Sequence, residues 1–304
     1  MTNARKDIGT DLSLVGLAVI WGVNFSVLKV LLEEIDPLAL NALRFPLAAL
    51  ALGALLWGRP GPLLPERKDV PRVILLALLG NVLYQLCFIF GIDWTLAGNA
   101  SLLLSTTPVW TVIFSSIAGH EPPTRWVILG VSATLVGMTL VVWGRGDALS
   151  LGSETVRGDL LMVAASILWS AYTVGGRTPV SKYGPLRMTS WAIWIATPFL
   201  VLMGLPSLRT TELSGISVRS WLGVAYAGLL AIALAYVLWY RGVQRLGNSR
   251  TAVYSNLVPV AALITAWVWL GETPARTQLI GAGIILGGLT VARLAQAPES
   301  NSRR

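Results

Sequence analysis

Several polar and aromatic side chains lie inside long apolar runs of the sequence, where they could bind a small organic molecule. The candidate substrate-binding residues are Trp21, Asn24, Tyr84, Gln85, Trp110, Trp169, Tyr172, Tyr236 and Asn256. Amides and phenols can hydrogen-bond ammonium and carboxylate groups, and the faces of indole and tyrosine rings can stack on an aromatic ring or hold a cation. Because a polar group in an apolar medium costs free energy unless it has a partner, we expect these residues to line a cavity that suits a zwitterion with an apolar tail.

Some residues of the same types have simpler explanations. The hydroxyls of Ser105, Thr106 and Thr107 can bond carbonyls of their own helix, which we favour over substrate contact. Trp21 and Trp169 lie near the middles of their apolar runs, where cavity lining and buried packing remain equally open. Tryptophans near the ends of such runs are typical interfacial anchors, and these are Trp57, Trp94, Trp126 and Trp143.

Two basic residues, Lys29 and Arg44, also fall inside apolar runs. Long basic side chains near the end of a run can extend to the membrane surface, and an acidic cluster that includes Glu33 and Asp36 follows Lys29. We therefore favour outward extension, or pairing with these acids, over substrate binding. If Arg44 faced a cavity instead, it would attract carboxylates.

Pro108 and Pro259 occupy equivalent places near the middles of two apolar runs, and we expect each to remove a backbone hydrogen bond and to favour a kink in its helix. They are candidates for a pair of hinges. A static bend that improves packing is equally compatible with the sequence.

Residue types that are missing from the apolar runs limit the chemistry. No aspartate or glutamate lies near the middle of a run, which weakens a proton-driven pump for cations, although Asp11, Asp93 and Asp159 at the ends leave proton coupling open. There is no His-Glu-x-x-His pattern, and the single histidine, His120, stands beside only one acid. We therefore expect no enzyme activity, metal site or cofactor. The single cysteine, Cys87, excludes an intramolecular disulfide.

The composition shows that these residues are carried by an integral membrane protein. The chain is 54% hydrophobic and 12% charged, whereas soluble domains carry about 25% charged residues. Its net charge of +8 is scattered between the apolar runs, so a nucleic-acid partner is not indicated. With about 20 apolar residues needed to span a bilayer, ten spans are predicted at 11–32, 38–57, 72–92, 97–118, 124–143, 158–177, 186–205, 220–240, 250–270 and 277–294.

The distribution of basic residues predicts the orientation of these spans. Most of the 23 lysines and arginines fall in the segments that lie on one side together with both termini. Because basic segments resist translocation, both termini are predicted to be cytoplasmic.

An internal repeat relates the two halves of the chain, 11–143 and 158–294. One shift brings Asp11, Trp21 and Pro37 onto Asp159, Trp169 and Pro185, and a slightly larger one brings Gly91, Pro108 and Glu121 onto Gly242, Pro259 and Glu272. Since five spans is an odd number, the second copy must enter the membrane from the opposite side. The predicted fold is an all-α polytopic membrane protein of ten transmembrane helices in two inverted five-helix repeats.

These motifs resemble the EamA branch of the drug/metabolite transporter superfamily. Trp21-Gly22-Val23-Asn24-Phe25 is similar to the family's opening motif, and Trp169-Ser170-Ala171-Tyr172 is a degenerate second copy. The stretches from Ala97 through Pro108 to Glu121 and from Thr251 through Pro259 to Glu272 resemble its fourth and ninth helices. The pattern looks most like the bacterial YddG-type exporters of aromatic and other neutral amino acids, which implies a location in the inner membrane of a bacterium.

The resemblance implies ten helices around a central cavity that is lined by the first, third, fourth, sixth, eighth and ninth of them. We therefore predict an exporter of small metabolites, foremost neutral and aromatic amino acids, that works by alternating access as a uniporter. The alternative is a proton-coupled multidrug exporter for lipophilic cations. The expected partners are the substrate and the lipid bilayer, and glycines of the fifth and tenth spans are expected to pack within a monomer rather than between copies.

Overall fold

The computed structural model describes residues 2–119, 154–246 and 257–294, together with isolated residues within 125–140 and 248–255. Helices joined by turns and short loops make up these residues, and none of them forms a β-strand. In chain order the helices are α1 (Thr2–Leu31), α2 (Pro37–Leu56), α3 (Val70–Trp94), α4 (Ala97–Ile117), α5 (Glu154–Tyr183), α6 (Pro185–Thr210), α7 (Val218–Leu246), α8 (Leu257–Leu270) and α9 (Arg276–Leu294).

Seven helices of the described residues are long and apolar enough to cross a membrane, namely the segment Gly9–Leu31 of α1 and the whole of α2 to α7. The apolar helix α8 is shorter. The prediction of an all-α polytopic membrane protein is therefore confirmed. Most of the predicted span 124–143 lies outside the described residues.

The helices α5 and α6 are longer than the spans predicted for them. Helix α5 continues past residue 177 to Tyr183, and α6 continues past residue 205 to Thr210. Hydropathy reports only the part of a helix that needs lipid, whereas backbone hydrogen bonding carries the helix on into the polar interface. The turn between them uses Gly184, whose φ of 84° favours glycine, and Pro185 suits the first turn of α6.

The helices of the two halves pack across each other. Helix α2 packs against α6, α1 packs against α7 and α8, and α5 packs against α3 and α4. One close crossing depends on Gly22 of α1, where an added Cβ would fall on the Ala261 side chain and 2.9 Å from the Val258 carbonyl oxygen. The first helix of each half is thus set among helices of the other half.

Three of these helices are irregular beside the space that they enclose. Helix α3 contains a π-helical segment at Leu78–Leu83, and α7 contains one at Tyr226–Leu234. Helix α4 is interrupted between Leu104 and Thr107. π-helical turns are uncommon and are frequent at functional sites.

The two candidate hinge prolines lie in α4 and α8. Pro108 lies in the first turn of the second part of α4, directly after the interruption. Pro259 lies within α8, close to residue 256, which is outside the described residues. A proline in a first turn leaves no helical hydrogen bond unmade, because that N–H has no partner within the helix. Pro108 therefore marks a break between two helical segments rather than a kink within one, and its role as a hinge stays a prediction.

Two charged side chains hold helix ends in place. The Nζ atom of Lys29 donates to the carbonyl oxygens of Ile92, Asp93 and Thr95, at 3.0, 2.8 and 2.8 Å. Lys29 thus extends to the end of α3, in the outward direction that was expected, because the last carbonyls of that helix need donors. Its pairing with Glu33 or Asp36 stays a prediction. At the start of α4, the Glu272 carboxylate accepts bonds from the backbone N–H groups of Ala97 and Gly98, each at 3.2 Å.

Candidate functional site

A cavity lies between α1, α2, α3, α4, α5, α7 and the first turn of α8. Its aromatic lining is Trp21, Phe25, Tyr84, Phe88, Trp169, Tyr236 and Trp239. Its polar lining is Asn24, Arg44, Gln85, Ser101, Ser105, Thr107 and Ser255, and the remaining wall is Leu104, Ala231, Ile232 and Val258. Residues that are three or four positions apart share a helical face, and this spacing brings Trp21 with Asn24, Gln85 with Phe88, and Tyr236 with Trp239 to the same space.

The aromatic rings form one connected cluster. Trp169 is its centre, with ring centroids 5.7 Å from Trp21, 5.0 Å from Tyr84, 4.9 Å from Tyr236 and 6.1 Å from Trp239. The Trp21 and Trp169 planes meet at 85°, an edge-to-face arrangement that is favourable for aromatic pairs. The sequence left open whether Trp21 and Trp169 line a cavity or pack in the interior. Both residues line the cavity and also pack against other rings of the cluster.

The structure brings most of the predicted site residues to this cavity. Trp21, Asn24, Tyr84, Gln85, Trp169 and Tyr236 are in its wall. Tyr172 is fully buried behind Trp169, with ring centroids 5.4 Å apart, and does not reach the cavity. Trp110 also lies away from the wall and donates from Nε1 to the Thr106 hydroxyl at 3.3 Å. Asn256 lies outside the described residues.

Arg44 is a wall residue that the sequence analysis placed elsewhere. Its side chain is 1% exposed and lines the cavity, so the expected outward extension or pairing with Glu33 and Asp36 was wrong. The spacing of Asn41 and Arg44 on one helical face was the signal that could have shown this, because Arg44 Nε and Nη2 donate to Asn41 Oδ1 at 3.0 and 2.7 Å.

A chain of buried hydrogen bonds continues from Arg44 across the cavity wall. Arg44 Nη2 also donates to Gln85 Oε1 at 2.7 Å, and Gln85 Nε2 donates to the Tyr236 hydroxyl at 2.8 Å. Gln85 and Tyr236 follow the π-helical segments of α3 and α7 and lie 151 residues apart in the chain. Both ends of the amide are therefore fixed, one by the guanidinium and one by the phenol.

Other polar groups of the wall divide into satisfied and open ones. The Ser105 and Thr107 hydroxyls donate to the Ser101 and Leu104 carbonyl oxygens at 2.7 and 2.6 Å, and Thr106 Oγ1 likewise donates to the Leu103 carbonyl, which confirms the helix-bonded interpretation. By contrast, Asn24 Oδ1 and Trp239 Nε1 are buried without a hydrogen-bond partner among the described residues. One acceptor and one donor are thus available to a ligand.

The cavity is narrow in this conformation. The space open to the centres of water molecules is about 50 Å³, which accommodates a few waters at roughly 10–15 Å³ each.

Two carboxylates bind hydroxyl groups in the first halves of α1 and α5, away from the cavity. Tyr254 donates its hydroxyl proton to Asp11 Oδ1 at 2.7 Å, and Thr95 donates to Asp159 Oδ1 at 2.6 Å. The first contact joins α1 to the chain before α8, and the second joins α5 to the chain before α4. Among the described residues, no cluster of three His, Cys, Asp or Glu side chains could hold a metal ion.

Comparison with known proteins gives consistent matches along the chain. The EamA-like transporter family matches residues 9–143 and 156–294. The chain is 28% identical to the "Uncharacterized transporter YyaM" of Bacillus subtilis, with 98% of each chain covered. It is 28% identical to a "Probable terminal-alkyne amino-acid exporter" of Streptantibioticus cattleyicolor, with 91% of each covered, and 30% identical to a "Probable amino-acid metabolite efflux pump" of Salmonella typhimurium, with 95% of each covered.

A solved structure supports the fold. It superposes with a TM-score of 0.68 at 20% sequence identity, covering 93% of this chain and 96% of that one. At this identity the likeness concerns the fold alone.

Proposed function

The chain belongs to the EamA-like transporter family, and from this premise we propose that it exports small neutral amino acids, foremost aromatic ones, across the cytoplasmic membrane. Family membership confirms that it is a transporter and not an enzyme. Two relatives are named as an amino-acid exporter and an amino-acid metabolite efflux pump, which supports the direction of transport and the class of substrate.

The observation that carries the proposal is the aromatic cluster around Trp169. Its rings offer edges and faces to an aromatic side chain, and they can hold an ammonium group over a ring face. The open acceptor Asn24 Oδ1 and the open donor Trp239 Nε1 lie in the same wall. A zwitterion with an apolar tail uses all of these groups.

The proposed architecture is ten transmembrane helices in two inverted five-helix repeats, 11–143 and 158–294. The cavity supports this architecture, because equivalent residues of the two halves meet there. Trp21 contacts Trp169, and Gln85 donates a hydrogen bond to Tyr236. The shift that brings Gln85 onto Tyr236 also brings the π-helical segment Leu78–Leu83 onto the later part of Tyr226–Leu234. Inverted repeats of this kind can exchange conformations and so open to either side with similar energies.

The proposed cycle is alternating access by a monomeric uniporter. The contacts Asp11–Tyr254 and Thr95–Asp159 lie near the starts of equivalent predicted spans, and we assign them to the closure of the cavity toward the two opposite sides of the membrane. Among the cavity-lining residues that the structure describes there is no aspartate or glutamate, which favours transport without a proton partner. The runner-up, a proton-coupled exporter of lipophilic cations, draws on the same aromatic rings.

Transport by purified protein in liposomes tests the proposal. Uptake of labelled phenylalanine, threonine and a quaternary-ammonium dye is measured with and without an imposed pH gradient. The protein is wild type, Trp169→Ala, or the control Trp194→Ala, whose indole donates to the Ala49 carbonyl away from the cavity. Rates are normalised to the amount of folded protein.

We expect amino-acid flux that needs no gradient and that falls about tenfold or more in Trp169→Ala, since removing a central ring of a binding site typically costs at least that. Trp194→Ala should retain the wild-type order of substrates. Dye flux that requires the gradient, with no movement of either amino acid, would replace this proposal with the multidrug exporter.

The proposed sidedness has both termini in the cytoplasm. Fusion of a reporter that is active only in the cytoplasm to either end of the chain tests it. Activity at both ends agrees with the distribution of lysine and arginine, and activity at only one end contradicts a fold with an even number of spans.

A further inference from the structure

Arg44 places a positive charge in the cavity wall that no described acidic side chain balances. The ion pairs of the described residues join Lys68 with Glu66 and Lys182 with Glu66 and Asp69, near the surface. Arg44 takes part in none of them, and its hydrogen-bond partners, Asn41 and Gln85, are neutral amides. A guanidinium stays charged at physiological pH, so its burial inside a membrane is costly until an anion approaches it.

Hydrogen bonds fix the Arg44 guanidinium in place, and among the described residues its Nη1 group remains free to bind a ligand. Nε and Nη2 are fixed by Asn41 Oδ1 and Gln85 Oε1, and no described residue accepts a bond from Nη1. The Tyr236 hydroxyl accepts from Gln85 Nε2 and so keeps its own proton free to donate. A fixed, charged donor in a wall of rings is the arrangement that recognises a carboxylate with an apolar tail.

The opposite charge has no such counterpart in the described wall. Asn24 Oδ1 and the ring faces can accept an ammonium group, but none of them carries a full negative charge. The cavity therefore attracts a carboxylate by charge and only tolerates an ammonium.

From this asymmetry we propose that Arg44 is the carboxylate subsite of the cavity, so that the substrate class is aromatic carboxylates, with or without an α-amino group. The inference rests on the proposed transport through this cavity and extends it. Aromatic amines and amides, which lack the carboxylate, are excluded, and so are lipophilic cations.

Binding to the purified protein tests the subsite without depending on flux. Quenching of intrinsic tryptophan fluorescence is titrated with phenylalanine, 3-phenylpropionate, 2-phenylethylamine and phenylalaninamide. We expect phenylalanine and 3-phenylpropionate to bind, and the two ligands without a carboxylate to bind about tenfold more weakly or worse, because a charge-assisted bond is lost.

The same titrations with variants assign this preference to Arg44. Arg44→Gln should lose the preference for carboxylates, and Arg44→Lys should keep part of it. The control Arg72→Gln removes an exposed arginine that donates to the Gly175 carbonyl and should keep the wild-type pattern. Should Arg44→Gln fail to fold, the four ligands on wild type still test whether the cavity requires a carboxylate, and Arg44→Lys tests whether Arg44 supplies that preference.

The outcomes separate the inference from the proposed function. If phenylalanine is transported but phenylethylamine and phenylalaninamide bind as well as it does, the carboxylate subsite is wrong and amino-acid export stands. If 3-phenylpropionate binds through Arg44 but no amino acid is transported, the subsite stands and the amino-acid proposal fails. Binding of a quaternary-ammonium dye with no binding of either carboxylate overturns both.

Discussion

At the scale of single residues, Gln85 joins the charged and the aromatic parts of the site. Its Oε1 accepts from Arg44 and its Nε2 donates to Tyr236, so a single amide fixes a guanidinium from α2 and a phenol from α7. Its geometry can change only if both partners move. The orientation of Arg44 in the wall therefore depends on a residue that is far from it in the chain.

The bond between Gln85 and Tyr236 can be tested by removing one hydroxyl. Tyr236→Phe leaves the buried Gln85 Nε2 without its acceptor, and we expect unfolding in detergent to become easier by about 1–3 kcal/mol. Tyr84→Phe is the matched control, because the Tyr84 hydroxyl in the same wall makes no hydrogen bond with the described residues. Equal losses in the two variants, measured from denaturation midpoints, would contradict the hydrogen-bonded chain.

Residue types and positions predicted much of this site, but they did not predict that Arg44 lines the cavity. Trp21, Asn24 and Tyr84 were identified because polar and aromatic side chains near the middle of a span commonly line a cavity, as these three do. For Arg44 the distance along the helix to the nearest end allowed an outward path, and the direction of a side chain depends on helix rotation. Hydropathy does not fix rotation, since it reports the length of a span and not which side faces its neighbours.

At the scale of helices, the site depends on close crossings and on interruptions of regular helix. The π-helical segments of α3 and α7 precede Gln85 and Tyr236, and each changes the direction in which the following residues point. Nothing in the apolar pattern of the sequence marks a π-helical turn. A kink was expected at Pro108 because proline acts on the backbone of its own helix, but the structure has a break between two helical segments there.

The crossing of α1 and α8 predicts a contrast between two glycines of one helix. Gly22→Ala places a methyl group against Ala261 and the Val258 carbonyl oxygen, and overpacking of this kind costs about 1–3 kcal/mol. Gly16→Ala meets no atom within 4 Å and should leave stability unchanged. Thermal unfolding of the two variants in detergent measures the difference, and a stable Gly22→Ala protein would show that the helices are farther apart than described.

The proposed hinge at Pro108 makes a prediction about rate rather than affinity. In Pro108→Ala the two parts of α4 can join into one helix, so we expect phenylalanine to bind with wild-type affinity but to be transported about threefold or more slowly, as for hinge changes that slow a conformational step. Pro198→Ala, in the continuous helix α6 and away from the cavity, is the control. Unchanged transport in Pro108→Ala would leave the proline as a static bend.

At the scale of the whole molecule, the sequence predicted the membrane-spanning helices but not the way in which they pack against each other. Apolar length predicted a polytopic helical protein, because the bilayer requires the same of every span. The packing of α2 on α6 and of α5 on α3 depends on the shapes of helix surfaces, which hydropathy does not report. The internal repeat related Trp21 to Trp169 without predicting that they touch, and the structure places the two rings in contact.

The central claim is that one cavity, between the two halves of the chain, opens to both sides of the membrane and binds amino acids. Ser105→Cys in a Cys87→Ser background places the only thiol in the cavity wall. Its modification by a membrane-impermeant thiol reagent is measured in vesicles of either orientation, with and without phenylalanine, and the Cys87→Ser parent serves as the control. The account predicts modification from both sides, slowed on both by phenylalanine. Modification from one side only, or equal rates with and without phenylalanine, would contradict it.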